Sequence, residues 1–244
     1  MIKKLIFGDY SEIGLTNKKN RENWLYKTLK SIPKGESILD AGAGQLKNKP
    51  NCAHLNYISQ DFGEYDGLGD GKGIQTESWD NSRLDIKSDI ANIPVEANSL
   101  DNVLCSEVFE HIPHPIEAIK EFKRILKPGG KLILTAPFCS LTHFAPYHFY
   151  SGFNKYFFEK YLDEIGFKII ELSPNGNYFE YVGQEIRYSF DPLNNYISKS
   201  PSFIERFALR VVLSYLKKNS LNSPESSELL NFGFHLIAEK NDHN

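Results

Sequence analysis

Cysteine is scarce in this chain: three in 244 residues, Cys52, Cys105 and Cys139, odd in number and far apart. Such spacing builds neither a disulfide framework nor a CxxC metal site, and it points to a reducing compartment. Long apolar runs are lacking as well. No stretch reaches about 18 consecutive apolar residues, so no membrane-spanning helix is expected. The N-terminal run Leu5-Ile6-Phe7 stops at Gly8-Asp9, too short for a signal peptide. A basic excess is also missing. The 28 Lys and Arg stand against 31 Asp and Glu, a net charge of −3, which argues against a nucleic-acid partner. These absences lead to the expectation of a soluble, cytoplasmic protein. What is present is ordinary for a folded domain with a sizeable core: 41% hydrophobic, 13% aromatic and 24% charged residues.

The near-neutral total hides a partition. Residues 1–34 carry eight Lys and Arg against three acids, whereas residues 60–121 carry fourteen acids against four bases. Most of those acids read as solvated faces, and a few stand at the ends of strands. Trp24, Leu25, Thr28, Leu29 and Ile32 recur at helical spacing and predict a helix over 18–32. Strands are predicted at 37–40, 57–61, 84–89, 102–106 and 131–136. A helix opens at Pro115, and Pro128-Gly129-Gly130 is expected to end it. A helix at 154–165 and a strand at 167–172 follow. This alternation predicts an α/β fold with a doubly wound, mostly parallel sheet. The rhythm breaks over 174–231, where helices are predicted at 178–190 and 202–218, before a last strand at 232–239. One stripe of the second helix gathers Phe203, Phe207, Val211 and Tyr215.

The first strand ends in Asp40 and runs at once into Gly42-Ala43-Gly44, a turn whose backbone N–H groups can approach a ligand closely. A dinucleotide fingerprint needs a third glycine where Lys47 stands, and Gly71-Lys72 lacks the remainder of a P-loop. A second acid, Asp61, ends the next strand. A strand-end carboxylate can accept both hydroxyls of a ribose, with Phe62 placed to lie against an adenine.

Here the sequence resembles a known family. Ile38-Leu39-Asp40-Ala41-Gly42-Ala43-Gly44 is similar to the first motif of class I S-adenosylmethionine-dependent methyltransferases. Ser88-Asp89-Ile90 and Ser99-Leu100-Asp101-Asn102-Val103 resemble that family's third-strand acid and its approach to strand four. Cys105 to Pro113 and Phe122 to Gly130 resemble its small-molecule branch. The likeness runs over roughly 36–173. It implies a Rossmann-like, seven-stranded sheet with an antiparallel last strand, and S-adenosylmethionine as cofactor. It further implies that Asp40, Gly42, Ala43 and Gly44 hold the methionine end, that Asp61 takes the ribose, and that Phe62 lies beside the adenine. By the same likeness Asp89 and Ile90 meet the adenine, while Ser106 and Glu107 border the methyl group. Two departures from the pattern stand out. Pro50 leaves the first crossover short or irregular, and a glycine-rich stretch at 66–73 reads as a loop over the cofactor edge. That stretch is no calcium loop, since Leu68 occupies a ligand position.

Tyr147 and His148, past the fifth strand, are the candidates for a catalytic role, with packing or hydrogen bonding as the plain alternative. Glu110 and His111 are read as supporting the following helix. His111-x-x-His114 is rejected as a zinc site because Pro113 and Pro115 prevent a helical pair, and no metal is expected. The acceptor is expected to be a small molecule, with sugar or glycan precursors as the candidate class. The expected organisation is a single domain over 1–244: an N-terminal helical region at 1–34, a cofactor-binding core at 35–173 and 232–240, and a helical insertion at 174–231. That insertion is a candidate substrate cap, dimer contact or peripheral membrane contact, with plain packing against the sheet as the alternative. A catalytically silent cofactor-binding module and a nicotinamide-dependent oxidoreductase are the alternatives, the latter disfavoured by Lys47.

Overall fold

Ser37–Ala41, here β1, is apolar on both faces and buried along almost its whole length, the pattern of a central parallel strand. The computed structural model describes residues 12–190 and 196–241. In it β1 lies between β2 (Asn56–Asp61) and β4 (Leu100–Ser106), parallel to both. The full order is β3-β2-β1-β4-β5-β7-β6, with β3 at Ile86–Lys87, β5 at Leu126–Pro137, β6 at Phe167–Asn175 and β7 at Gly233–Lys240. Only β7 is seen antiparallel to its β5 neighbour, in an unbroken register from Lys131 opposite Glu239 to Pro137 opposite Gly233. The seven-stranded, mostly parallel α/β sheet with an antiparallel last strand is as expected.

Alternation along the central strands sorts the core into two layers. Ile38, Leu104 and Ile133 face Leu25 and Leu29 of α1 (Asn17–Ser31). Leu39, Val103, Cys105, Leu132 and Leu134 face the other way, onto Ile119 and Phe122 of α2 (Pro115–Ile125) and Phe158 and Leu162 of α3 (Lys155–Ile165). Helices therefore cover both faces.

Two element boundaries differ from expectation, each for a local reason. Of the strand predicted at 84–89, only Ile86–Lys87 pairs with β2. The Asp85 carboxylate instead accepts the Ser59 N–H and hydroxyl at 2.9 and 2.6 Å, and Asp89 accepts the Ala91 N–H at 2.9 Å. Such side-chain bonds compete with a ladder. Helix α2 stops at Ile125, before Pro128, because Leu126 turns extended and pairs with Leu100. Lys240 donates from Nζ to the carbonyls of Lys123 and Leu126, both at 2.7 Å, and so satisfies backbone acceptors at that helix end. The first crossover is short, as expected: a single 3-10 turn, Lys49–Cys52, with Pro50 in its first turn.

The described residues divide into two compact units, one of 23–173 with 233–241 and one of 12–22 with 174–190 and 196–232. In the second, α4 (Tyr178–Tyr188) and α5 (Phe203–Asn222) pack around Ile13, Leu213 and Leu216. Asn177 caps α4, and its amide donates to the Ser220 carbonyl at 3.0 Å. Ser202 and Glu205 form a capping box on α5. The stripe read from the sequence is not the packed one: Phe203, Phe207, Val211 and Tyr215 stay exposed, while Leu213 and Leu216 are buried. No helix among the described residues is long and apolar enough to cross a membrane.

Candidate functional site

Between β1 and β4 the chain order along the sheet reverses, and ligands of open α/β sheets bind at the carboxyl ends of strands beside such a point. Asp40, the next-to-last residue of β1, is 1% exposed. Burial pushes its carboxyl up to about 6, against the pull of the Tyr57 hydroxyl (2.7 Å) and the Asn48 side chain; the charge of Asp61 adds to the rise. Asp61, closing β2, is buried too, and burial raises its pKa. One of its oxygens accepts the Gly44 N–H at 3.0 Å and the other the Gly63 N–H at 2.9 Å. The turn itself is tied to β2, since the N–H groups of Gly42 and Ala43 both reach the Gln60 carbonyl at 2.8 Å. Gly44 sits at φ 49° beneath the Trp79 ring, and a Cβ there would stand 2.5 Å from Trp79 Cζ2.

At the end of β4 the Ser106 hydroxyl meets that of Thr135 at 2.9 Å, and Thr135 donates to Glu107 Oε1, also at 2.9 Å. Glu107 holds a left-handed φ of 55°, unusual for a residue with a side chain, and its N–H bonds the Thr135 carbonyl. Asp89 is exposed and caps its own turn, whereas Ile90 is buried.

The glycine-rich stretch does not hang free. Asp70 and Ile74 donate their N–H groups to the carbonyls of Ala145 and Thr142, and Phe144 returns one to Ile74, each at 3.0 Å. Gly69 can make this approach only without a side chain, because a Cβ would collide with the Ala145 carbonyl. Tyr65, Trp79 and Phe144 stack into one aromatic cluster, with Lys47 Nζ 6.0 Å from the Trp79 ring. Phe62 is 41% exposed and meets Tyr147 edge-on at 4.9 Å. His148 Nε2 lies 3.2 Å from the Ser140 hydroxyl, and its ring is 4.9 Å from that of His143.

A further group emerges that sequence reading did not assemble. Glu110 and His111 lie in a 3-10 turn after β4, and they face His143 rather than supporting the next helix. His114 takes no part, being exposed at the start of α2. Burial raises the pKa of Glu110. Burial also lowers that of His111 to about 3, whereas for His143 the opposing Glu110 carboxylate outweighs burial and raises it. The available signal was a Glu-His pair after one strand and a His-rich run after the next, joined only once β4 and β5 are known to be neighbours.

The Methyltransferase domain family matches residues 67–134. The ubiquinone biosynthesis O-methyltransferase of Xanthomonas oryzae pv. oryzae is 48% identical over 40 residues, 16% of this chain and 17% of that one. The demethylmenaquinone methyltransferase of Staphylococcus haemolyticus is 36% identical over 104 residues, 41% of this chain and 42% of that one. The matches thus span less than half the length of either relative. A solved S-adenosylmethionine-dependent methyltransferase from Archaeoglobus fulgidus shares the fold at a TM-score of 0.52 and 16% identity, covering 98% of each chain. Over the matched residues this chain is similar to S-adenosylmethionine-dependent methyltransferases, and it shares their fold.

The residues present fit that family's cofactor. Among the described residues, Asp40 and Asp61 are met by neutral donors: a phenol, an amide and backbone N–H groups. Two buried carboxylates without a counter-cation suit a ligand that brings an ammonium group and ribose hydroxyls. The expected residues at the ends of β1, β2 and β4 lie at one edge of the sheet, the carboxyl ends of three neighbouring parallel strands. Tyr147 and His148 lie just past residues 142–145, which clasp the glycine loop.

Proposed function

We propose that this chain transfers the methyl group of S-adenosylmethionine to a small-molecule acceptor. The observation that carries the reading is the pair of buried strand-end carboxylates, Asp40 and Asp61, flanking the Gly42–Gly44 turn. Asp40 and the turn hold the methionine end, Asp61 the ribose, Phe62 one side of the adenine, and Asp89 and Ile90 its far edge. Ser106 and Glu107, fixed by Thr135, border the methyl carbon.

The bound cofactor supplies a methyl group on a positively charged sulfur, already activated toward displacement. The chain's own task is alignment, and well-oriented proximity accounts for about 7–11 kcal/mol of a barrier. The strained turn at Glu107 and the clasped segment 142–145 set the two walls between which an acceptor must line up. Tyr147 and His148 stand on the acceptor side, where His148 can take up a proton released by a hydroxyl. The glycan acceptor expected from the sequence finds no support in the relatives, whose names specify quinone methyltransferases; the reading retained here is a small molecule offering a hydroxyl.

Calorimetry with S-adenosylhomocysteine tests the cofactor assignment. Loss of charged hydrogen bonds worth about 1.5–3 kcal/mol makes Asp61→Ala bind roughly 10- to 100-fold more weakly. An unchanged affinity would remove Asp61 from the ribose site. Binding without turnover across a broad screen of hydroxyl acceptors would turn the reading into a silent cofactor-binding module.

A further inference from the structure

Glu110 is 1% exposed, and its Oε2 has no hydrogen-bond partner among the described residues; nor has the buried Nε2 of His111. The two histidines that face it are oriented by their backs. His111 Nδ1 lies 2.6 Å from the Tyr147 carbonyl, and His143 Nδ1 lies 2.8 Å from the Leu141 carbonyl. A carbonyl oxygen only accepts, so each Nδ1 carries the proton, and each neutral imidazole turns the lone pair of Nε2 forward. Both Nε2 atoms sit 3.7 Å from the same oxygen, Glu110 Oε1. That is too long for a hydrogen bond. With His143 unprotonated, three lone-pair atoms face one another at close range, and a cation can stand where a proton on His143 otherwise would.

The spacing agrees. Two ligands of a tetrahedral ion, each about 2.1 Å from it, stand about 3.4 Å apart. The three ligand atoms here all lie within 4.8 Å of one another, so closing onto an ion needs a movement of about an ångström. A histidine that gives its other N–H to a backbone carbonyl is the usual orienting arrangement behind a metal ligand.

We propose that Glu110, His111 and His143 bind a divalent transition-metal cation of the zinc, manganese and cobalt class, with at least one coordination position left for an oxygen ligand. Resting on the methyl-transfer reading, that oxygen is the acceptor's hydroxyl. Glu107, which the proposed function sets beside the methyl group, is three residues from Glu110 along the chain. Bound to the ion, the hydroxyl gives up its proton to solvent through His148. An oxygen lone pair forms the O–CH3 bond while the C–S bond breaks, and that bond's electron pair stays on sulfur, leaving neutral S-adenosylhomocysteine. The cation is neither consumed nor oxidised.

The test uses the full chain stripped with a chelator and titrated with Co2+, followed by its visible absorption. One equivalent is expected to bind with a tetrahedral or five-coordinate spectrum, and Zn2+ is expected to displace it. The near-isosteric Glu110→Gln and the loop variant His143→Gln should each weaken Co2+ binding more than about tenfold, while His114→Ala leaves it unchanged. S-adenosylhomocysteine affinity should persist in both weakened variants, which separates failure of the metal site from failure of the cofactor site. Absence of a Co2+ spectrum, or a spectrum indifferent to both substitutions, overturns the proposal and assigns the cluster to a proton shared between Glu110 and His143.

Discussion

Asp40 shows how one buried carboxyl ties stability to ligand binding. Its pKa is about 6 in the folded chain against 3.8 for an ordinary aspartate, because burial disfavours the charge. The folded state thus holds the proton more tightly than the unfolded state. Its contribution to stability is fully present below about pH 4 and is lost as pH rises through about 6, a change of about 3 kcal/mol. Asp40→Asn should abolish that slope, so urea midpoints of the two proteins, measured without ligand, should diverge between pH 4 and 7. Parallel curves would show that burial does not govern the group. Cofactor binding needs the carboxylate opposite an ammonium, and S-adenosylhomocysteine affinity should fall toward tenfold per pH unit below about 6 in the wild type alone. The sequence made the acids at strand ends legible because Asp40 and Asp61 each close a short predicted strand, Asp40 just before a Gly-x-Gly turn. It could not make legible that Glu110 faces His143, because 33 positions separate them and only the pairing of β4 with β5 closes the gap.

Elements were read well wherever hydrophobic period and burial agree, as in α3, whose start at Asn154 and stop at Gly166 carry a side-chain cap and a left-handed φ of 96°. They depart from the local pattern where a side chain competes with the backbone. Asp85 takes the Ser59 groups and leaves β3 two residues long. At the end of α2, Lys240 binds two carbonyls and the Asn98 side chain, each at 2.7 Å, a closure no local pattern announces. Lys240→Met should cost about 1–2 kcal/mol, discounted from the usual value for charged hydrogen bonds because the group is only partly buried. Hydrogen exchange should speed up in the last turn of α2, and protection left unchanged there would show that the bonds do not hold the helix end. In α5 the apolar positions exceed what one face can bury, so period alone could not choose between the Phe203–Tyr215 stripe and the Leu213–Leu216 side.

For the whole molecule, binding at the sheet edge should appear as stability. With S-adenosylhomocysteine at a hundredfold excess over Kd, linkage adds about 2.7 kcal/mol, a rise in Tm of roughly 5–10 °C for a chain of this size. Asp61→Ala at the same ligand concentration should lose most of that rise, and an equal rise in both would place the ligand elsewhere. The near-neutral net charge, uninformative as a total, divides into a basic N-terminal stretch and an acidic middle whose strand-end carboxylate Asp61 is buried rather than solvated. The sequence by itself determined the α/β class, the order of most strands and helices, and the cofactor-side motifs, because each depends on neighbours within a few residues and on a period set by backbone geometry. Tertiary structure alone decided which strands lie side by side, which face of α5 is packed, how the glycine loop is clasped to 142–145, and the meeting of Glu110, His111 and His143. Those depend on contacts between distant segments, which local preference neither encodes nor forbids.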